Sequence, residues 1–340
     1  MRIAVLSPIH WRTPPRRYGP WEWVASLITE ELVRRGHDVT LFATGDSQTA
    51  ARLRSVCPLP ILAPEGQHLE AKMYEYLHSA LPFESADEFD VIHNHYNVYP
   101  LVFSPFVRTP VVTTVEGFSS GGVADIMRRY AQTAFVSISL ADRRHAPDAH
   151  WVANVYHGIP VEAYPFGDAP KEYLCFVGRI HPDKGVHEAM DVAEAAGIPL
   201  KIAGLVADDH YFKTEIQPRL RPGRIDYLGE LEDAKKKALL RDALAFLHLN
   251  AYPEGFGLAP VEAMACGTPV IGMDRGSMSE VVAHGETGFV VSTAAEAIQA
   301  VAQVRSLNRR ACRERVERHF TVSRMVDQYE DVYAQVVQKH

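Results

Sequence analysis

The sequence predicts an α/β protein of two doubly wound, parallel-sheet domains. The chain has 340 residues, more than one hydrophobic core usually spans, so about two domains are expected at roughly 150 residues each. In both halves short β-rich apolar runs alternate with amphipathic stretches, the pattern of a parallel sheet wrapped by helices. Between the halves the stretch Tyr156 to Lys171, "YHGIPVEAYPFGDAPK", breaks into proline and glycine and reads as a linker.

The first half opens on the strand "RIAVLS", followed by a long loop, "HWRTPPRRYGPWEW". Trp23, Leu27, Ile28, Leu32 and Val33 then recur at helical spacing, and Gly36 supplies a stop. Strands are expected at "DVTLFA", "DVIHN", "PVVTTV", "AFVSIS" and "HWVANV". The second half repeats the alternation with "YLCFVG", "LKIAGL", "RIDYLG", "LAFLHLN", "PVIGM" and "GFVV". A terminal helix places Val322, Met325, Val326, Tyr329, Val332, Tyr333 and Val336 on one face, which needs a surface to cover it. The expected division is 1–157, a linker at 158–172, 173–318, and a terminal helix at 319–340 that packs back on the first domain.

Apolar residues make up 47% of the chain and charged residues 23%, the balance of a soluble globular protein. A net charge of -7 argues against a nucleic-acid partner, so any anionic ligand must be held by local cations and backbone dipoles. No run reaches the roughly 18 apolar residues of a membrane span, and the strand begins at once after Met1 without a leader pattern, so a cytoplasmic protein is expected. Cys57, Cys175, Cys266 and Cys312 lack CxxC spacing and are expected as buried thiols.

The segment "PEGFGLAPVEAMACGTP", Pro253 to Pro269, carries Glu254 and Glu262 on either side of a glycine-framed turn. Pro260 near a first helical turn and Gly267 with Pro269 at the other end bound a short helix. The amides of Gly255, Phe256, Gly257 and Leu258 then lie at a helix N-terminus, which favours an anion such as a diphosphate. A carboxylate beside a phosphate would repel it. The two glutamates are better suited to accept hydrogen bonds from hydroxyls, and a nucleotide sugar carries hydroxyls on both sides of its diphosphate. The competing reading is a solvated helix charge and a dipole-complementing residue.

In "FVGRIHPDKG", Gly178, Arg179 and Lys184 directly follow the first strand of the second domain, and strand carboxyl ends are where open α/β sheets bind ligands. The first-domain loop lacks G-x-G-x-x-G, the dinucleotide fingerprint. Its aromatic and polar-tipped composition suits a glycosidic ligand, making His10, Trp11 and Tyr18, together with Tyr96, candidate acceptor contacts. His93 and His95 at the end of "VIHNH" fit either the core or a site. Glu116, after the apolar run "TTV", needs a partner or a task because a buried charge is costly.

Together these segments resemble the retaining GT-B glycosyltransferases of family 4. The likeness rests on "YGPWEW", "RRGHDVTLFAT", "DVIHNH", "VYHGIP", "FVGRIHPDKG", "YLGEL", "PEGFGLAPVEAMACGTPVI" and "GETGFVV". The resemblance implies two Rossmann-like domains facing across a cleft, with donor nucleotide sugar, UDP-linked as first choice, bound mainly by the second and acceptor by the first. Arg179 and Lys184 would hold the diphosphate and Glu262 the ribose hydroxyls. Glu254 would contact the transferred sugar, main chain near Leu231 the base, and Gly19 would let the first loop approach the phosphates.

Two departures stand out: Pro20 follows Gly19 where the family often has a second glycine, and Glu116 stands where it commonly has histidine. Glu116 is expected to face the donor sugar or the acceptor hydroxyl, with Glu254, His93 and His95 as further catalytic candidates. No Asp-x-Asp occurs, so no metal and no cofactor is expected. A soluble small-molecule acceptor is expected. A sugar phosphorylase or nucleotide-sugar epimerase on the same architecture, a nicotinamide-dependent dehydrogenase, and a non-enzymatic sugar-binding protein are the alternatives.

Overall fold

The computed structural model describes residues 1–66, 68–117 and 121–339. The chain divides into two compact units, Met1–Gly158 with Val322–His340, and Ile159–Thr321.

The first unit contains β1 (Arg2–Leu6), α1 (Pro20–Arg34), β2 (Asp38–Phe42), β3 (Arg52–Arg54), α2 (Ala71–Glu84), β4 (Val91–Asn94), β5 (Val111–Val115), α3 (Gly121–Arg129), β6 (Ala134–Ser137) and β7 (Trp151–Asn154). Its seven strands lie in the order β3-β2-β1-β4-β5-β6-β7 with every pairing parallel. Such strands are covered on both faces, which is why β4 and β5 are buried at every residue, the polar His93, Asn94, Thr113 and Thr114 included. The edge strand β3, Arg-Leu-Arg, is three residues long and escapes sequence patterning.

Pro20 opens α1, where its missing N–H costs nothing, and Gly36 with positive φ follows its end. The face that α1 buries is Val24, Ala25, Ile28, Thr29 and Leu32, with Glu22 beneath its first turn. Trp23, Leu27 and Val33 are only half-buried, so the helix is rotated from the expected face.

The second unit contains β8 (Leu174–Val177), α4 (Val186–Ala196), β9 (Leu200–Ala203), a single turn α5 (Asp209–Tyr211), β10 (Ile225–Tyr227), α6 (Asp233–Asp242), β11 (Ala245–His248), α7 (Leu258–Ala265), β12 (Val270–Met273), α8 (Met278–Val281), β13 (Gly288–Val291), α9 (Ala294–Gln303) and α10 (Arg309–His319). Its six parallel strands run β10-β9-β8-β11-β12-β13, the doubly wound order. From Ile159 onward the stretch read as a linker is packed into this unit. Arg309 donates to the Gly167 carbonyl at 2.6 Å, and Tyr164 is 2% exposed.

The last helix, α11 (Val322–Gln338), returns to the first unit. Met325, Val326, Tyr329, Val332, Tyr333 and Val336 are buried. Against α1, Arg35 donates to Glu31 (2.9 Å), Asp327 (2.7 Å), the Ser323 carbonyl (2.9 Å) and Glu330. All four cysteines are buried free thiols. Among the described residues no helix is long and apolar enough to cross a membrane.

Candidate functional site

Polar groups gather at the carboxyl ends of the strands in each unit. In the second unit, β8 ends at Val177, and Gly178 donates its N–H to the Ala203 carbonyl at 3.0 Å. The chain then runs through Arg179 to Lys184. Gly185 has φ 70°, and a Cβ there would fall 1.9 Å from the Leu249 carbonyl oxygen, so only glycine lets this loop press against the end of β11. That close approach brings Lys184 to Glu254: Nζ donates to Oε2 at 2.8 Å and to the Tyr252 hydroxyl.

Asn250 also donates to Glu254 Oε2, and His248 Nε2 lies 3.5 Å from the same oxygen. Burial alone would raise the Glu254 pKa, but His248 and Lys184 outweigh it and hold the carboxyl well below the usual carboxylate range. Arg179 makes no ion pair among the described residues, and its buried Nε has no partner.

Gly257 caps α7, whose first residue is Leu258, so the amides of Gly255 to Leu258 stand at a helix N-terminus as expected. Phe256 is buried against Phe320, ring centroids 5.6 Å apart, and fixes the turn from below. Glu262, one turn inside the helix, is 6% exposed. Its Oε1 accepts from the Tyr164 hydroxyl at 2.7 Å and from Lys236 Nζ at 2.8 Å. Glu254 and Glu262 therefore belong to separate hydrogen-bonded sets, one at each end of the turn and helix. Leu231 sits between β10 and α6 beside a shallow hollow of about 360 Å³ shared with Leu228, Tyr173, Lys201 and Lys235.

In the first unit, Gly19 has φ 147°, and a Cβ there would meet Pro15 at 2.8 Å and Trp11 at 3.1 Å. The loop is folded tightly on itself and is no loose excursion. Beneath it lies Glu22, 2% exposed, whose Oε1 accepts the Trp11 N–H at 3.0 Å. Burial raises this carboxyl to about 7, against the lowering effect of backbone hydrogen bonds.

Glu116 does not stand open to a substrate as the sequence suggested. Its Oε1 is hydrogen-bonded to His95 Nδ1 at 2.6 Å, while His157 Nε2 lies 3.0 Å from Oε2 at ion-pair distance without a hydrogen bond to it, and all three side chains are buried. Burial would raise its pKa, but His157 and His95 overcome that and hold it at about 2. An ionised carboxylate only accepts, so His95 Nδ1 donates to it. His95 keeps one polar atom, Nε2, buried without a hydrogen-bond partner.

His93 takes the other of its two readings. It is fully buried, with Nδ1 2.7 Å from the Tyr333 hydroxyl and Nε2 2.8 Å from Thr114 Oγ1, which in turn meets the Tyr329 hydroxyl at 2.8 Å. Both ring nitrogens serve the docking of α11. Tyr96 likewise lies in the core at 1% exposure, its hydroxyl donating to Glu75 at 3.2 Å, so it presents no free face to an acceptor. His10 stacks edge-on against Tyr96 at 5.6 Å and stays half-buried, as do Trp11 and Tyr18, whose rings are 6.3 Å apart.

Sequence reasoning missed Glu22, His157, His248, Tyr164 and Lys236. Glu22 stands three residues after Gly19, in the first turn of α1, where an acid is a recognisable signal. His248 lies at the end of β11 only six residues before Glu254, whereas His157, Tyr164 and Lys236 become visible only through contacts between distant segments.

Two parallel sheets with this strand order, each with polar groups at the carboxyl ends of its strands, form the GT-B architecture of two Rossmann-like domains. The Glycosyltransferase Family 4 model matches residues 22–163 and the Glycosyl transferases group 1 model residues 166–318. The chain belongs to glycosyltransferase family 4 and is a glycosyl-transferring enzyme.

Among similar proteins, the phosphatidyl-myo-inositol mannosyltransferase of Mycobacterium leprae is 26% identical over 347 residues, covering 93% of this chain and 90% of the relative. The N-acetyl-alpha-D-glucosaminyl L-malate synthase of Bacillus anthracis is 26% identical over 366 residues, covering 92% and 93%. The crystal structure of Anabaena HepE in complex with UDP and glucose superposes with a TM-score of 0.74 at 19% identity, covering 98% of this chain and 99% of that one.

Proposed function

We propose that the enzyme transfers a sugar from a UDP-sugar to a hydroxyl of a soluble small-molecule acceptor, with retention of anomeric configuration. The observation that carries the reading is the second-unit site: Lys184 and Arg179 at the end of β8, the N-terminus of α7, and a separate carboxylate at each end of that turn. A diphosphate suits the cations and amides, with each charge-assisted hydrogen bond contributing about 1.5 to 3 kcal/mol. Glu262 then accepts from ribose hydroxyls and Glu254 from hydroxyls of the transferred sugar. The UDP in the Anabaena structure supports a UDP donor and the malate in the name of the Bacillus relative a small acceptor, while the phosphatidyl-myo-inositol in the name of the Mycobacterium relative is a lipid acceptor.

In the reaction the bond from the anomeric carbon to the diphosphate oxygen breaks as the acceptor oxygen bonds to that carbon on the same face. The acceptor proton passes to the departing phosphate. Lys184, Arg179 and the helix dipole stabilise the leaving charge, so no metal is required.

The test is thermal shift with UDP, GDP and ADP, followed by product analysis with UDP-sugars and small hydroxylated acceptors in EDTA. A ligand at 100 times its dissociation constant stabilises by about 2.7 kcal/mol. Selective stabilisation by UDP and formation of a retained glycoside in EDTA are expected. Failure of every nucleoside diphosphate to stabilise the protein would overturn the donor assignment, and activity lost in EDTA but restored by magnesium would overturn the metal-free mechanism.

A further inference from the structure

Behind Glu262 lies a hydrogen-bonded support. Two separate segments converge on its carboxylate from outside α7: Tyr164 from the stretch before β8 and Lys236 from α6. Both donors bind the same oxygen, Oε1, at 2.7 and 2.8 Å. A carboxylate oxygen has two lone-pair sites, so Oε1 is filled. Oε2 is engaged by no hydrogen bond among the described residues.

The supporting pair is itself held. The Tyr164 ring lies under Lys237 Nζ, 4.7 Å from its centroid, and the tyrosine is 2% exposed. Lys236 lies on the same helix near Asp233 at 4.0 Å. The buried Tyr164 hydroxyl cannot follow the carboxylate if it swings. Rotation of Glu262 would break two hydrogen bonds and leave a buried tyrosine hydroxyl unsatisfied.

We infer that Tyr164 and Lys236 are positioning residues that lock Glu262 so that Oε2 takes both hydroxyls of a ribose cis-diol, selecting ribonucleoside over 2′-deoxyribonucleoside diphosphate donors. This rests on the reading of Glu262 as the ribose contact. With Oε1 filled, Oε2 is the one oxygen open to the sugar and accepts from both hydroxyls through its two lone-pair sites. A 2′-deoxyribose leaves one site empty, and the locked carboxylate cannot turn to refill it. A carboxylate released from its support can turn, and the distinction fades.

Isothermal titration of the full chain with UDP and with 2′-deoxy-UDP tests this, using the wild type, Tyr164→Phe, Lys236→Met and the conservative Lys236→Arg. The wild type is expected to favour UDP by about tenfold or more, since 1.4 kcal/mol is tenfold in affinity. In Tyr164→Phe and Lys236→Met the ratio should fall to about threefold or less, with Lys236→Arg retaining more of it. Each ratio compares two ligands on one preparation, so partial unfolding of a variant cancels. An unchanged ratio in the variants, or equal affinities in the wild type, overturns the inference while UDP binding itself upholds the donor reading. If the wild type prefers GDP or ADP, the same comparison with that nucleotide and its 2′-deoxy form decides. Failure to bind any nucleoside diphosphate overturns both.

Discussion

Glu22 makes stability depend on pH in a direction opposite to that of Glu116 and Glu254. Its model-peptide value is 4.5 and burial lifts it to about 7 in the folded protein. The pKa is raised on folding, so the stability it contributes is complete below 4.5 and is lost as pH rises through about 7. At 1.36 kcal/mol per pKa unit, ionisation costs the folded state about 0.8 kcal/mol at pH 5 and about 3.3 kcal/mol at pH 8.

Glu22→Gln removes the titration and keeps an oxygen for the Trp11 N–H. Relative to the wild type, the variant should therefore gain about 2 to 3 kcal/mol between pH 5 and pH 8. Urea unfolding followed by tryptophan fluorescence measures this, because Trp11, Trp21, Trp23 and Trp151 all lie in the first unit. Equal differences between variant and wild type at the two pH values would refute the reasoning, since they would mean that folding does not raise the Glu22 pKa.

Glu116 should behave in the opposite sense. Its folded value of about 2 lies below 4.5, so its contribution is present above pH 4.5 and lost as pH falls towards 2. Glu116→Gln is expected to cost about 2 to 4 kcal/mol at pH 7 and progressively less from pH 5 to pH 3, by the same urea measurement. Lys184→Met should destabilise the second unit by about 1 to 3 kcal/mol, because Glu254 loses its cation, and should weaken nucleotide binding. Adding Glu254→Gln should restore thermal stability without restoring binding; recovery of both would contradict the assignment of Lys184 to the diphosphate. Arg35→Ala should cost about 2 kcal/mol and raise hydrogen exchange in α11, read by mass spectrometry, with strands β8 to β13 unaffected.

Local patterning accounts for how much of the molecule was legible. Parallel strands covered on both faces are rich in apolar and β-branched residues, so twelve of the thirteen strands among the described residues announce themselves in the sequence. The exception, β3, has arginine on either side of one leucine and pairs along one edge only. The glycine turn, Glu254, Glu262, Arg179 and Lys184 were equally legible, because a helix N-terminus and strand ends are local features. So was the apolar face of α11.

Partner choice was not local. Glu116 could be seen as a buried charge, but its histidines come from positions 95 and 157, and nothing in the chain's order joins them. His93 and Tyr96 carry chemically capable side chains, yet packing against Tyr333 and Glu75 commits them to the core. Glu262 reads in sequence as half of a glutamate pair; the fold gives it Tyr164, 98 positions away, and Lys236, 26 away. The sequence by itself determined two wound sheets, the turn between two glutamates and the cations before it, because each follows from short-range periodicity and helix-end chemistry. Only the tertiary structure decided which carboxylates are clamped and which keep an oxygen to offer, since that depends on desolvation and on donors brought in from remote segments.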